Sequence, residues 1–131
     1  MKVLITGSRN ANQALYKKAH QVVDWCMAEG HIILVGDAPG IDELVRIHVA
    51  EYHYTKIQVF GAYRLVRYCP WYCPGQEIAL PGDYLARDRH MAEQCDLCVA
   101  LWNGRSPGTR YTGKYVEMLG KRTIWRVFGQ A

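Results

Sequence analysis

The sequence predicts an α/β fold, a mostly parallel five-stranded sheet with helices on both faces. Three observations carry the prediction. Short apolar, β-branched runs alternate with segments of helical periodicity along the 131 residues. Three of those runs end directly in Gly-rich turns. The run Leu97-Cys98-Val99-Ala100-Leu101 is apolar at every position, as a strand buried on both faces of a parallel sheet must be. The length suits one unit spanning 1–131, large enough to bury a core without disulfides or metal.

Lys2 to Thr6 reads as the first strand, followed by Gly7-Ser8-Arg9-Asn10. From Asn12 to Glu29 the residues Leu15, Ala19, Val22, Val23, Cys26 and Met27 recur at helical spacing, and Gly30 is placed to end that helix. Gly7 permits a tight turn, Ser8 can donate to a phosphate oxygen, and Arg9 offers a planar fork of donors. An ordinary surface turn with a solvated arginine is the other reading. His31 to Val35 makes the second strand and meets Gly36-Asp37-Ala38-Pro39-Gly40-Ile41-Asp42 before Glu43 to Tyr52 turns helical. One of Asp37 and Asp42 can accept from a ribose or base, while Asp42 by its place is also suited to cap its helix. Lys56 to Phe60 is the third strand.

Residues 61–83 break the rhythm as an insertion rich in aromatic groups and proline. Tyr63, Tyr68, Trp71 and Tyr72 stand there among Cys69-Pro70 and Cys73-Pro74-Gly75. Such a segment serves as a lid, a subunit contact or a stacking surface, or else as a packed loop over the sheet edge. Tyr84 to Gln94 resumes as helix, with Arg87 and Asp88 in its first turns. A cation near a helix start opposes the dipole, which suggests that Arg87 serves an anion outside the helix, although a solvated arginine fits too. Beyond the apolar strand, Gly104-Arg105-Ser106-Pro107-Gly108-Thr109 leads into a helix over Tyr111 to Leu119, and Arg122 to Phe128 is the last strand. Free N–H groups at a helix start stabilise an anion, so this loop is either a phosphate site or a turn closed by a Thr N-cap. All three Gly-rich loops leave the carboxyl ends of strands and therefore converge on one edge of the sheet, where α/β proteins bind ligands.

Composition narrows the function classes. A net charge of +4, spread along the chain, suits an anionic small ligand or weak nucleic-acid contact and demands neither. No window approaches the roughly 20 apolar residues of a membrane span, and Lys2-Val3-Leu4-Ile5 begins a strand instead of a signal peptide, so no membrane association and a cytoplasmic location are expected. Five cysteines, an odd number, argue against a secreted disulfide framework. Cys69, Cys73, Cys95 and Cys98 have spacings that raise a four-thiolate zinc site, but Cys98 lies inside the apolar run and Cys95 closes a helix, which favours buried thiols and no metal.

Taken in order, Gly7-Ser8-Arg9, Gly36 to Asp42, Arg87-Asp88 and Asp96 through Thr109 resemble the YspA-like branch of the SLOG superfamily. That group shares a Rossmann-like fold with the Lonely guy phosphoribohydrolases and DNA-processing protein A. The resemblance implies a nucleotide or nucleotide-derived ligand, such as an ADP-ribose-like molecule, held by Gly7, Ser8, Arg9, Gly36, Asp37, Gly40, Arg87, Gly104, Ser106, Gly108 and Thr109. It implies no cofactor, and a homo-oligomer in which a second subunit covers the pocket. The motif Gly-Gly-x-Gly-Thr-x-x-Glu of the Lonely guy enzymes supplies a carboxylate for N-glycosidic cleavage; here Thr112 stands in its place, and Glu117 lies further along the helix. The carboxylates left for a hydrolase are Asp88, Asp37 and Asp42. Three functions remain open: a module that senses or sequesters a nucleotide, an N-glycoside hydrolase, and a single-stranded nucleic-acid binder.

Overall fold

A computed structural model describes residues 1–67 and 73–128. The strands are β1 (Lys2–Gly7), β2 (Ile32–Gly36), β3 (Ile57–Gly61), β4 (Gln76–Ala79), β5 (Leu97–Trp102) and β6 (Arg122–Val127). The helices are α1 (Gln13–Glu29), α2 (Ile41–Glu51), α3 (Tyr84–Gln94) and α4 (Pro107–Met118). The strands form one sheet in the order β4-β3-β2-β1-β5-β6, and every pair is parallel. The sheet therefore has six strands and not the expected five. The additional one, β4, lies within the insertion and pairs Gln58 to Gly61 with Gln76 to Ala79. It is a short edge strand whose side chains are mostly exposed, so it carries none of the apolar alternation by which a strand is read from sequence.

Alternation along the buried strands sorts the core into two layers. Val3, Ile5, Ile33, Val35, Ile57, Val59, Val99 and Leu101 pack with Leu15, Ala19, Val23, Cys26, Val45 and Val49 of α1 and α2. Leu4, Leu34, Phe60 and Cys98 point the other way, against Met91 and Ala92 of α3 and Val116 of α4. A period of two with apolar residues on both faces is what a sheet covered on both sides requires. Asn12 caps α1 by accepting from the Leu15 N–H at 2.9 Å, and Gly30 ends it in the left-handed conformation at φ 71°. Among the described residues no helix is long and apolar enough to cross a membrane.

This order fixes where a ligand can sit. From β1 the chain steps outward through β2, β3 and β4, then returns to the other side of β1 as β5 and continues to β6. The direction of winding reverses between β1 and β5, and the loops beyond their carboxyl ends part to leave a crevice.

Candidate functional site

The crevice opens into a cavity of about 620 Å³, within the range that holds a nucleotide-sized molecule. Its lining brings together Gly7, Arg9, Gly36, Asp42, Arg87, Asp88, Ser106, Gly108 and Thr109 from four separate loops and helix starts. Ser8, Asp37, Gly40 and Gly104 of the expected set stay outside the lining. Asn103, Arg105, Thr112 and Tyr84 join it.

The four outsiders build the frame. Ser8 is fully buried, and its hydroxyl accepts from the Asn103 N–H at 3.0 Å while its own N–H donates to the Leu101 carbonyl at 3.1 Å. It ties the β1 loop to the β5 loop instead of facing a phosphate. Gly40 has φ 85°, and a Cβ there would fall on the carbonyl oxygens of Arg9 and Ser8. Only glycine lets the start of α2 come this close to the first loop. Gly104 turns the chain at φ 82° in an exposed position. Asp37 is fully buried, and accepts from the Arg67 N–H at 2.6 Å, from Arg67 Nη2 at 3.0 Å and from Arg87 Nη1 at 2.8 Å. Burial acts to raise its pKa, but the hydrogen bonds from Arg67 and the charges of Arg67 and Arg87 outweigh it and hold the carboxyl below its ordinary value.

Arg87 is 6% exposed. Nη1 donates to Asp37 and to the Phe60 carbonyl at 3.0 Å, and Nε donates to Asp88 Oδ1 at 2.8 Å. The anions that compensate a cation near this helix start are the protein's own carboxylates. Gly36 makes room for them, since a Cβ there would stand 2.7 Å from Asp42 Oδ2 and 2.9 Å from Arg87 Nη1.

Two carboxylates face the cavity. Asp88 is pushed above its ordinary pKa by burial, against the pull of Arg87 and the Thr112 side chain. Asp42, 7% exposed, is pushed up to about 7 by burial, with Arg87, the Ala38 N–H and Arg46 opposing. It does not cap α2: the N-cap is Gly40, which makes no side-chain cap bond, and Asp42 Oδ2 accepts from the Ala38 N–H at 3.3 Å. A carboxyl group near neutrality can hold or release a proton at the working pH, as acid–base chemistry needs.

The start of α4 supplies donors. Helix α4 starts at Pro107, four residues before the expected Tyr111, because proline fits the first helical position, where its missing N–H costs nothing. Thr109 is thus inside the first turn and is not its N-cap. The N-cap position is held by Ser106, which makes no side-chain cap bond, and Arg110 donates to the Ser106 carbonyl at 3.3 Å. The Gly108 and Thr109 amides precede that bond and are left for an external acceptor. Nothing lies within 4 Å of a Cβ built on Gly108, so the approach to those amides is open. Arg9 and Arg105, both exposed, line the same cavity, and their side chains have no partner among the described residues. Asn103 shapes the loop by accepting from the Arg105 and Ser106 N–H groups, each at 2.9 Å. The cavity lining therefore combines free donors, at the start of α4 and on Arg9 and Arg105, with the carboxyl groups of Asp42 and Asp88.

Glu117 is exposed, accepts from Trp125 Nε1 at 3.2 Å and does not line the cavity, so it does not replace the carboxylate absent at Thr112. Tyr68, Trp71 and Tyr72, read as stacking groups, and Cys69 lie outside the described residues. Of the other thiols in the zinc reading, Cys95 and Cys98 are buried and raised in pKa by burial, and Cys95 Sγ donates to the Ala92 carbonyl. Among the described residues no three His, Cys, Asp or Glu side chains are placed to hold a metal. Arg67 carries no sequence motif, and only its contact across 30 positions reveals it.

The sequence matches no family model and no curated protein. Solved structures do match. DNA processing protein A from Helicobacter pylori superposes with a TM-score of 0.73 at 15% identity, over 100% of this chain and 66% of that one. The molybdenum cofactor carrier protein of Chlamydomonas reinhardtii gives 0.71 at 17% identity, over 95% and 74%. DNA processing protein A from Streptococcus pneumoniae gives 0.71 at 18%, over 95% and 49%, so the chain spans about half to two thirds of the DNA processing proteins it matches. Likeness at this level of identity concerns the fold, and the fold of this chain is the Rossmann-like α/β architecture those proteins share.

Proposed function

We propose that the chain binds a nucleotide or nucleotide-derived ligand of the ADP-ribose type in this cavity, as a module that senses or sequesters it. The observation that carries the reading is this lining of the cavity at the switch point. Unpartnered Arg9 and Arg105 and the Gly108 and Thr109 amides receive phosphate, while Asp42 and Asp88 accept from hydroxyl or amino groups of the remainder. The resemblance to the YspA-like branch agrees with it, as does the fold shared with a molybdenum cofactor carrier.

A second reading, N-glycoside hydrolysis, is favoured by one observation: two carboxyl groups with raised pKa line the cavity. Asp42 and Asp88 are its candidates, whereas Asp37 is enclosed by two guanidinium groups beneath the floor. The fold neighbour described by its single-stranded DNA binding mode keeps a third reading in the test.

The deciding experiment incubates the purified chain with nucleoside monophosphates, ADP-ribose, NAD and cyclic nucleotides, following thermal shift and product formation together. A shift with intact ligand supports the binding module, since a ligand of the native state raises stability by mass action. Released base or sugar makes the chain a hydrolase. Silence across the panel, with oligonucleotide affinity that falls steeply with salt, replaces both by nucleic-acid binding.

A further inference from the structure

The segment between β3 and β4 delivers one residue, Arg67, to the underside of the cavity. Its backbone N–H, Nη2 and Nε supply three of the four donors that reach the Asp37 carboxylate among the described residues, at 2.6, 3.0 and 3.3 Å. The fourth is Arg87 Nη1. Arg87 in turn holds Asp88 through Nε. The Thr112 side chain reaches Asp88, and its hydroxyl donates to the Gly108 carbonyl at 3.0 Å. A continuous series of polar contacts thus runs from the β3–β4 segment, under the end of β2, through the start of α3 to the first turn of α4. A second route runs beside it. The Tyr84 ring, part of the cavity wall, lies 4.2 Å from Arg67 Cζ and 5.2 Å from Arg87 Cζ, and Tyr63 packs edge-on against it at 5.4 Å.

This arrangement constrains Arg87. A guanidinium presents its donors in a rigid plane, so Arg87 serves Asp37 and Asp88 together only while both carboxylates hold their places. Asp37 is fully buried, and Arg67 provides most of what keeps it there. Deprived of the two side-chain donors of Arg67, a buried carboxylate draws the remaining guanidinium to itself.

We propose that Arg67 is a positioning residue for the ligand site: seated on Asp37, it fixes Arg87, Asp88 and the first turn of α4, and so couples ligand affinity to the seating of residues 62–67 that follow β3. This rests on the reading of the cavity as a nucleotide site.

The test compares Arg67→Ala and Arg67→Lys with the parent chain by two readouts. One is the titration of the Asp88 carboxyl by carbon-13 NMR in ligand-free protein; the other is ADP-ribose affinity by calorimetry. Arg67→Ala is expected to raise the Asp88 midpoint, because Arg87 is drawn toward Asp37 and a positive charge is lost, and to weaken ADP-ribose about tenfold. Both variants keep the backbone N–H that reaches Asp37; Arg67→Lys also keeps the charge, without the fork, and is expected to recover part of both. A merely structural role would lower the melting temperature and leave the Asp88 midpoint in place. If Arg67→Ala does not fold, Arg67→Gln carries the same comparison. An unmoved Asp88 midpoint, or unchanged affinity with a moved one, overturns the proposal. A moved midpoint in a protein whose parent does not bind ADP-ribose leaves the positioning intact and removes the nucleotide reading instead.

Discussion

Asp42→Asn tests whether the cavity wall holds a carboxyl group at a cost to the fold. The side chain is 7% exposed and takes one hydrogen bond, from the Ala38 N–H; burial pushes its pKa from the ordinary 3.8 up to about 7. Between those values the native state binds more protons than the unfolded chain. The contribution of Asp42 to stability is therefore most favourable below the unfolded pKa, declines as pH rises to about 7 and is flat beyond. At about 1.4 kcal/mol per unit, the ionised group costs about 4 kcal/mol at pH 8 and about 1 kcal/mol at pH 4.5. Asparagine keeps an oxygen for the Ala38 N–H and never ionises. Urea denaturation of parent and variant at the two pH values reads the difference directly, with unaltered m values as the check that the unfolded states match. The variant should gain little at pH 4.5 and about 2 to 4 kcal/mol at pH 8. An advantage that does not grow with pH would show that Asp42 is not desolvated, and the lining assigned to the cavity would fail with it.

Other outcomes follow from the same geometry. Arg9→Ala and Arg105→Ala alter exposed side chains without partners, so each should leave the melting temperature within about a degree or two while weakening ADP-ribose in calorimetry; unchanged affinity in the double variant would remove the phosphate rim. Arg87→Ala strands Asp88, while Arg67 still holds Asp37, and chemical denaturation should show a loss of about 3 kcal/mol. Gly40→Ala, at φ 85° against the Arg9 and Ser8 carbonyls, should cost about 2 kcal/mol or more. Gly108→Ala has open space around it and lies in a helix, so it should leave stability the same or raise it by about 0.5 to 1 kcal/mol, yet hinder the approach of phosphate and lower affinity.

Much of the fold was legible because two-layer packing leaves a periodic trace. The apolar β5 run, the Leu15-to-Met27 stripe of α1 and its end at Gly30 all read directly from sequence. Strand β4 was illegible since Gln76 and Glu77 face solvent at the sheet edge and leave no pattern. The start of α4 was misplaced because Pro107 and Gly108 punctuate loops as often as they open helices. For the site, the sequence located loops that line one cavity but not the direction of each side chain. Ser8 and Arg9 are neighbours, yet one is spent on the Asn103 N–H and the other is exposed on the rim. The partners of Arg87 within the protein escaped for a related reason: Asp37 and Asp88 were each visible, but the contact across 50 positions that joins Arg87 to Asp37 was not.

The most direct measurement is a titration of nitrogen-15-labelled protein with ADP-ribose, followed through the backbone amides. Phosphate seated on the α4 rim should shift the Gly108 and Thr109 resonances, saturably and ahead of amides on the far side of the sheet. Saturable binding that leaves those two amides in place, or no binding at all, would contradict the assignment of this cavity as a nucleotide site.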